Sequence, residues 1–143
     1  MIKNIIFDMG NVLLKFDRNY FLDAVGVKPA DRRTLMNNVY LSLEWAKMDR
    51  GSMTEEEAAA SMCSRLPERL HEQAHLLVDR WDRPILPVPG MAELVRDLKE
   101  AGYGVYLLSN ASYRQHEYWP RVPGSEYFDG TLISADVKLV KPC

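Results

Sequence analysis

The chain has 143 residues, 47% of them hydrophobic, and a formal net charge of −2. That length suits one domain, or a small core carrying an insertion, and the apolar share is enough for a packed interior. The charge offers no bulk attraction to nucleic acid or anionic membrane, and no apolar run approaches the length of a membrane span. Cys63 and Cys143 form neither a disulfide framework nor a metal spacing. Met1-Ile2-Lys3 leads straight into a strand pattern and not into a signal peptide, so a reducing compartment, the cytoplasm, is the expected location.

Ile5-Ile6-Phe7 is an apolar run without polar alternation, which predicts a strand covered on both faces of a parallel sheet. It ends abruptly on Asp8, with Gly10 two residues on, where a backbone turns sharply or approaches a ligand. A mainly helical stretch follows. Phe21, Leu22 and Val25 predict a short helix, Leu35, Met36, Val39 and Tyr40 a second, and Leu43, Trp45 and Met48 a looser third. Thr54-Glu55-Glu56-Glu57 is a capping-box pattern opening a fourth. Pro67 suits the first turn of a fifth, whose Leu70, Ala74, Leu77, Val78 and Trp81 keep helical spacing. Pro84, Pro87, Pro89 and Gly90 then punctuate the chain. Beyond them, residues 91–101 predict a helix with Leu94, Val95 and Leu98 inward and Gly102 past its end. Residues 103–108 predict a second buried strand ending on Ser109-Asn110. A helical piece around residues 113–119 stops at Pro120, and Gly130–Ser134 predicts a third strand, with Lys141-Pro142 just beyond.

Strand, helical insert, helix, strand, helix, strand is the grammar of a right-handed α/β sheet. In such sheets ligands gather at the carboxyl ends of the strands. Asp8, Ser109-Asn110 and Lys141 all fall there, and their chemistry is complementary. A carboxylate can attack phosphorus, a hydroxyl with nearby amides can hold phosphate oxygens, and a lysine can neutralise both anions. Alone, Asp8 reads equally as part of a polar turn, Ser109-Asn110 more often as a turn and Lys141 more often as a solvated surface lysine; order and placement together carry the argument.

On these residues the chain resembles the haloacid dehalogenase-like (HAD) hydrolase superfamily. Phe7-Asp8-Met9-Gly10-Asn11-Val12 resembles its first motif, Leu107-Leu108-Ser109-Asn110 its second and Lys141-Pro142 its third. Tyr118-Trp119-Pro120, Phe128 and Ile133-Ser134 are similar to the branch containing bacterial α-D-glucose-1-phosphate phosphatases, related to the phosphatase domain of soluble epoxide hydrolases. The resemblance implies a doubly wound, Rossmann-like α/β core made of residues 1–16 and 84–143, with residues 17–83 inserted as a helical cap. It implies a Mg²⁺-dependent phosphatase acting on a small phosphorylated metabolite, a sugar phosphate among the candidates. Asp8 would be the nucleophile, forming an aspartyl-phosphate, and a Mg²⁺ ligand; Gly10 would add a backbone carbonyl to the metal. Ser109 and Asn110 would bind the phosphoryl group, and Lys141 would orient and neutralise the charges. Lys138 is a competitor for that role, but only Lys141 precedes proline. Trp119 is expected to pack and not to touch substrate.

Two departures qualify the match. Gly10 stands where the family usually carries a second aspartate that protonates the leaving group. The family's fourth motif, an acidic cluster completing the Mg²⁺ site, would come after Pro142, so the expectation is a core incomplete at its C-terminal end. Such a chain is expected to bind Mg²⁺ poorly, to turn over slowly and to self-associate through an exposed edge at residues 5–7. Two other activities fit the same pattern: a haloacid-type dehalogenase, whose chemistry needs no leaving-group acid, and a non-catalytic protein acting through protein contacts.

His71-Glu72-Gln73-Ala74-His75 matches the H-E-x-x-H pattern of zinc peptidases, with Glu93 and Asp97 as a third ligand and its support. Val78 and Trp81 hold the places of the extended motif's glycine and histidine. The apolar stripe of Leu70, Ala74, Leu77 and Val78 instead makes this an ordinary amphipathic helix flanked by histidines.

Overall fold

A computed structural model describes residues 1–142. Its core is a three-stranded sheet in the order β1-β2-β3, formed by β1 (Asn4–Phe7), β2 (Gly104–Ser109) and β3 (Gly130–Ile133). All pairs are parallel, with Phe7 opposite Leu107 and Ser109 opposite Ile133. Parallel neighbours need long crossovers. The β2–β3 crossover is α7 (Arg114–Tyr118) followed by short 3₁₀ turns; the β1–β2 crossover holds α6 (Met91–Glu100) and the whole helical insert.

The sheet corrects one expectation. Phe7, Val105, Leu107 and Ile133 are buried on one face, where Val95 of α6 joins them, but Ile6 is 65% exposed and Leu132 45%. Period-2 alternation therefore operates after all, with one face packed and the other open among the described residues. An unbroken apolar run hides this because both faces of β1 carry isoleucine. Leu94, expected inward, is exposed, and α6 turns Val95 to the sheet instead.

The insert folds around its own apolar cluster, with Leu22, Leu35, Val39, Met62 and Leu77 fully or nearly fully buried. Its helices are α1 (Arg18–Ala24), α2 (Arg32–Leu35), α3 (Leu43–Asp49), α4 (Glu55–Cys63) and α5 (His71–Asp79), and α2 runs into a π-helical turn at Met36–Tyr40. The capping box at Thr54 is present in both directions: Glu57 N donates to Thr54 Oγ1 at 3.1 Å, and Thr54 N to Glu57 Oε2 at 3.0 Å. Pro67 sits just before a 3₁₀ turn that leads into α5 and not within the helix.

A second cluster, containing Phe7, Leu13, Val95, Leu107 and Tyr118, belongs to the sheet side. Two links tie the clusters together. The chain leaves the sheet through residues 13–15 and returns through 86–88, and these segments pair: Val88 N donates to Leu13 O at 2.9 Å and Lys15 N to Leu86 O at 2.7 Å. Phe16 and Trp81, at the two crossings, stack edge-on with ring centroids 5.0 Å apart, and Trp81 meets Tyr118 of α7 at 5.2 Å.

The second link is ionic. Asp82 is 1% exposed and bonded to both Arg114 and Arg121, while Arg114, only 8% exposed, also holds Glu55 of α4 through two 2.6 Å bonds. Removing one partner of a buried charge leaves the other uncompensated. We predict that Arg114→Met destabilises the fold by about 3 kcal/mol, toward the low end for such losses because Arg121 still holds Asp82. Urea unfolding of the two proteins measures this; a difference within error would mean that the Arg114 ion pairs contribute nothing to stability.

Candidate active site

β1 ends at Phe7, so Asp8 leaves the sheet at its carboxyl edge. Beyond it Met9 O accepts from Val12, Leu13 and Leu14 N, and Asn11 adopts a left-handed φ of 60°. This tight loop holds Asp8 at the sheet's rim. The Asp8 carboxylate is half exposed: Oδ1 accepts from Met9 N at 2.8 Å and lies 3.1 Å from Lys141 Nζ.

Lys141 reaches that position from beyond β3 because its main chain is pinned to the end of β2. Its N donates to Asn110 Oδ1 at 2.8 Å, and Asn110 Nδ2 returns a bond to Lys141 O at 3.2 Å. Nζ also donates to Leu108 O at 2.8 Å, so the ammonium is shared between the β2 terminus and Asp8. Asp8, Asn110 and Lys141 are thus brought together by direct contacts. Ser109 is buried and lines a cleft of about 240 Å³ beside Gly10 and Asn110. Asp8 itself does not line that cleft.

Lys138 is placed elsewhere. It adopts a left-handed φ of 60°, donates to Gly51 O and lies 2.5 Å from the Tyr113 hydroxyl. Trp119 packs edge-on against Phe128 with centroids 4.9 Å apart. His71 is turned onto Leu66 O at 2.9 Å, and His75 is exposed. Among the described residues no three His, Cys, Asp or Glu side chains gather as a metal cluster, either on α5 or around Asp8.

Sequence reasoning missed Asp49 and placed Ser134 at the end of the third strand, where it instead opens a short helix, α8 (Ser134–Val137). Ser134 is buried; its Oγ donates to Asp49 O and accepts from Ala111 N at 2.9 Å. With Lys138 on Gly51 O, this fastens the C-terminal end of α3 to the end of β3. Gly51 has φ +72°, and a Cβ there would stand 2.3 Å from Ala135 O, so backbone meets backbone where only glycine fits. The sole signal in the sequence was the glycine after α3.

That attachment places Asp49 in the lining of the cleft together with Gly10, Ser109 and Asn110, with Phe16, Trp45, Trp81 and Tyr118 as an aromatic wall. Burial, with no partner among the described residues to oppose it, pushes the Asp49 carboxyl up from 3.8 to about 7. Burial also raises the Tyr118 phenol, with the negative charges of Asp49 and Asp82 adding to the effect. Glu44, by contrast, is held down at about 2, first by its bonds from Arg65.

The parallel sheet thus joins a carboxylate, an amide and a lysine at its carboxyl edge, where the ligands of such sheets gather. The chain belongs to the haloacid dehalogenase-like hydrolase family, whose profile it matches over residues 2–143. The solved structures it is similar to share this fold. The HAD family enzyme bt-2542 of Bacteroides thetaiotaomicron, in complex with magnesium and inorganic phosphate, is 22% identical with a TM-score of 0.69; the match covers 99% of this chain and 73% of that one. The HAD-hydrolase YfnB of Bacillus subtilis, bound to magnesium, is 15% identical with a TM-score of 0.70, over 99% and 69% of the two chains. L-2-haloacid dehalogenase of Xanthobacter autotrophicus, with chloropropionic acid covalently bound, is 16% identical with a TM-score of 0.62, over 99% and 60%. The core of this chain is therefore incomplete relative to these neighbours.

The raised carboxyl of Asp49 has a thermodynamic sign. Between about pH 4 and pH 7 the unfolded chain releases the Asp49 proton while the folded protein keeps it, so stability falls as pH rises through that window. A rise from 3.8 to about 7, at about 1.4 kcal/mol per pH unit, sets a ceiling of about 4 kcal/mol. We predict that Asp49→Asn, which mimics the neutral acid, unfolds at a higher temperature than the parent at pH 8 and close to the parent at pH 4. Thermal melts at the two pH values check this; equal differences at both would mean that Asp49 titrates normally.

Proposed function

We propose that this chain is a magnesium-dependent phosphatase of small phosphorylated metabolites, with residues 17–83 as the cap over its cleft. The observation that carries this reading is the 3.1 Å contact of Lys141 Nζ with Asp8, fastened by Asn110 at the end of β2. A carboxylate nucleophile approaching a phosphate dianion meets repulsion, and an ammonium between them offsets it.

In this reading Asp8 attacks phosphorus to form an acyl phosphate, which water then hydrolyses. Asn110 and Ser109 hold the phosphoryl oxygens, and Lys141 neutralises charge on both reacting anions. The aromatic wall of Phe16, Trp45, Trp81 and Tyr118 lines the cleft beside Ser109 and Asn110, while Asp8 stays half exposed at its rim. The donor set at the strand end, one carboxylate with the Gly10 carbonyl, is all oxygen. That suits Mg²⁺, which commonly takes one or two carboxylates together with water and substrate phosphate. When bound, the ion supplies Lewis-acid polarisation of the phosphoryl group. The magnesium complexes of bt-2542 and YfnB support the same choice.

A second reading is dehalogenation, favoured by Gly10. Attack of a carboxylate on a carbon–halogen bond expels halide without a proton donor, and the haloacid dehalogenase neighbour works on the same fold. Halide release from 2-chloropropionate, against phosphate release from a panel of phosphate monoesters, separates the two.

We predict that Asp8→Asn abolishes Mg²⁺-dependent phosphate release, by about 10³-fold or more, because a carboxamide is a poor nucleophile. Asp8 is half exposed, so the variant keeps its circular dichroism spectrum and melting temperature. Activity near the parent level would remove Asp8 from the mechanism. Lys141→Met is expected to lower kcat and raise KM together, since its charge serves both binding and attack; chelation with EDTA should stop the parent enzyme.

A further inference from the structure

An alkyl phosphate does not expel its alcohol readily as an alkoxide; in a fast enzyme the bridging oxygen takes up a proton as the P–O bond breaks. At the rim of the sheet nothing among the described residues supplies that proton. Asp8 is the attacking group, Lys141 is committed to Leu108 O and Asp8, and Gly10 has no side chain. A Cβ built on Gly10 would meet nothing within 4 Å, so the space at this position is empty of protein.

From the helical insert, α3 brings Asp49 to the same 240 Å³ cleft that Gly10, Ser109 and Asn110 line. We propose that Asp49, from the helical insert, is the proton donor to the leaving group. This rests on the phosphatase reading above.

Three observations support it besides location. The main chain around Asp49 is fixed to the core by Ser134 on its carbonyl and Lys138 on Gly51 O, so the acid is held and not swung on a loose cap. Among the described residues the carboxyl has neither a hydrogen-bond donor nor an ion-pair partner, and burial alone brings it to about 7. It is therefore protonated in a large fraction of molecules near neutral pH, as a general acid must be. The charged and titratable groups around it are Lys15 and Arg18 from the crossing and α1, Tyr118 from α7, and Lys47 and Arg50 next to it on its own element. None forms an ion pair with it, so none fixes it as a carboxylate.

The chemistry balances. As an Asp8 oxygen bonds phosphorus and the ester P–O bond breaks, Asp49 Oδ gives its proton to the departing oxygen, and a neutral alcohol leaves. The Asp49 carboxylate left behind then takes a proton from the water that attacks the acyl phosphate. That restores Asp8 as a carboxylate, Asp49 as an acid, and releases phosphate.

Leaving-group dependence is the test. p-Nitrophenyl phosphate expels a stable phenolate that needs little protonation, while glycerol phosphate expels an alkoxide that needs it fully. With Mg²⁺ present, Asp49→Asn is expected to lower kcat/KM, which reports the steps up to alcohol release and not the later attack of water, on glycerol phosphate by about 10²–10³-fold, at least tenfold more than on p-nitrophenyl phosphate. Asp49→Glu, which keeps a carboxyl, is expected to recover part of the alkyl activity. Equal losses on both esters, or none on either, in variants that melt cooperatively would overturn the assignment of Asp49 while leaving the phosphatase reading intact. A parent protein that releases phosphate from neither ester would overturn the phosphatase reading itself, and this assignment with it.

Discussion

Parallel pairing is the constraint from which the rest of this structure follows. Because β1, β2 and β3 run in one direction, their carboxyl ends share one edge, and whatever follows each strand emerges beside its neighbours. Asp8 follows β1, Ser109-Asn110 ends β2, and Lys141 lies a short helix beyond β3. The register places Phe7 against Leu107 and Ser109 against Ile133, so the three termini stagger by only a residue or two. Two reciprocal bonds between Asn110 and Lys141 then bring the lysine to the aspartate. The cost of parallel pairing is a long crossover between strands. In this chain the first crossover is long enough to carry an entire helical layer.

That layer is useful only if it is held over the strand ends. Three devices hold it: pairing of the two crossing segments, the Phe16–Trp81–Tyr118 aromatic contacts, and the polar fastenings that run from Arg114 to Glu55 and from Ser134 and Lys138 to the end of α3. The last of these sits next to the cleft. It explains why a partly buried carboxyl such as Asp49, which costs stability at neutral pH, is kept in place by its backbone instead of relaxing into solvent. Destabilised ionisable groups in clefts are a frequent mark of chemistry.

The contrast between the two carboxylates is instructive. Asp8 lies in the open, bonded to an amide and an ammonium. Asp49 is enclosed without partners, which favours its neutral form. Two acids of the same type thus meet different surroundings, one open and ion-paired, the other enclosed, the kind of contrast on which separate acid and base roles are built in hydrolases.

Much of this was legible in the sequence. The strand ends, the capping box at Thr54, the order of the helices and the trio of Asp8, Ser109-Asn110 and Lys141 follow from local apolar periodicity, turn chemistry and motif order, all short-range properties of a chain. Burial on each face of β1 did not follow, because Ile5 and Ile6 are equally apolar and only packing against α6 distinguishes inside from outside. Lys138 and Lys141 are equally basic, and the proline after Lys141 was the only local hint; Lys138 ends on Gly51 O because α3 is there to meet it. Asp49 was invisible for the same reason. In sequence it is a polar residue at the end of a loosely patterned helix, and its chemistry comes from desolvation and from neighbours contributed by β1, β2 and α8. Local pattern thus determined what the pieces are and the order of their motifs, whereas tertiary contact alone decided which charges face one another and which acid keeps its proton.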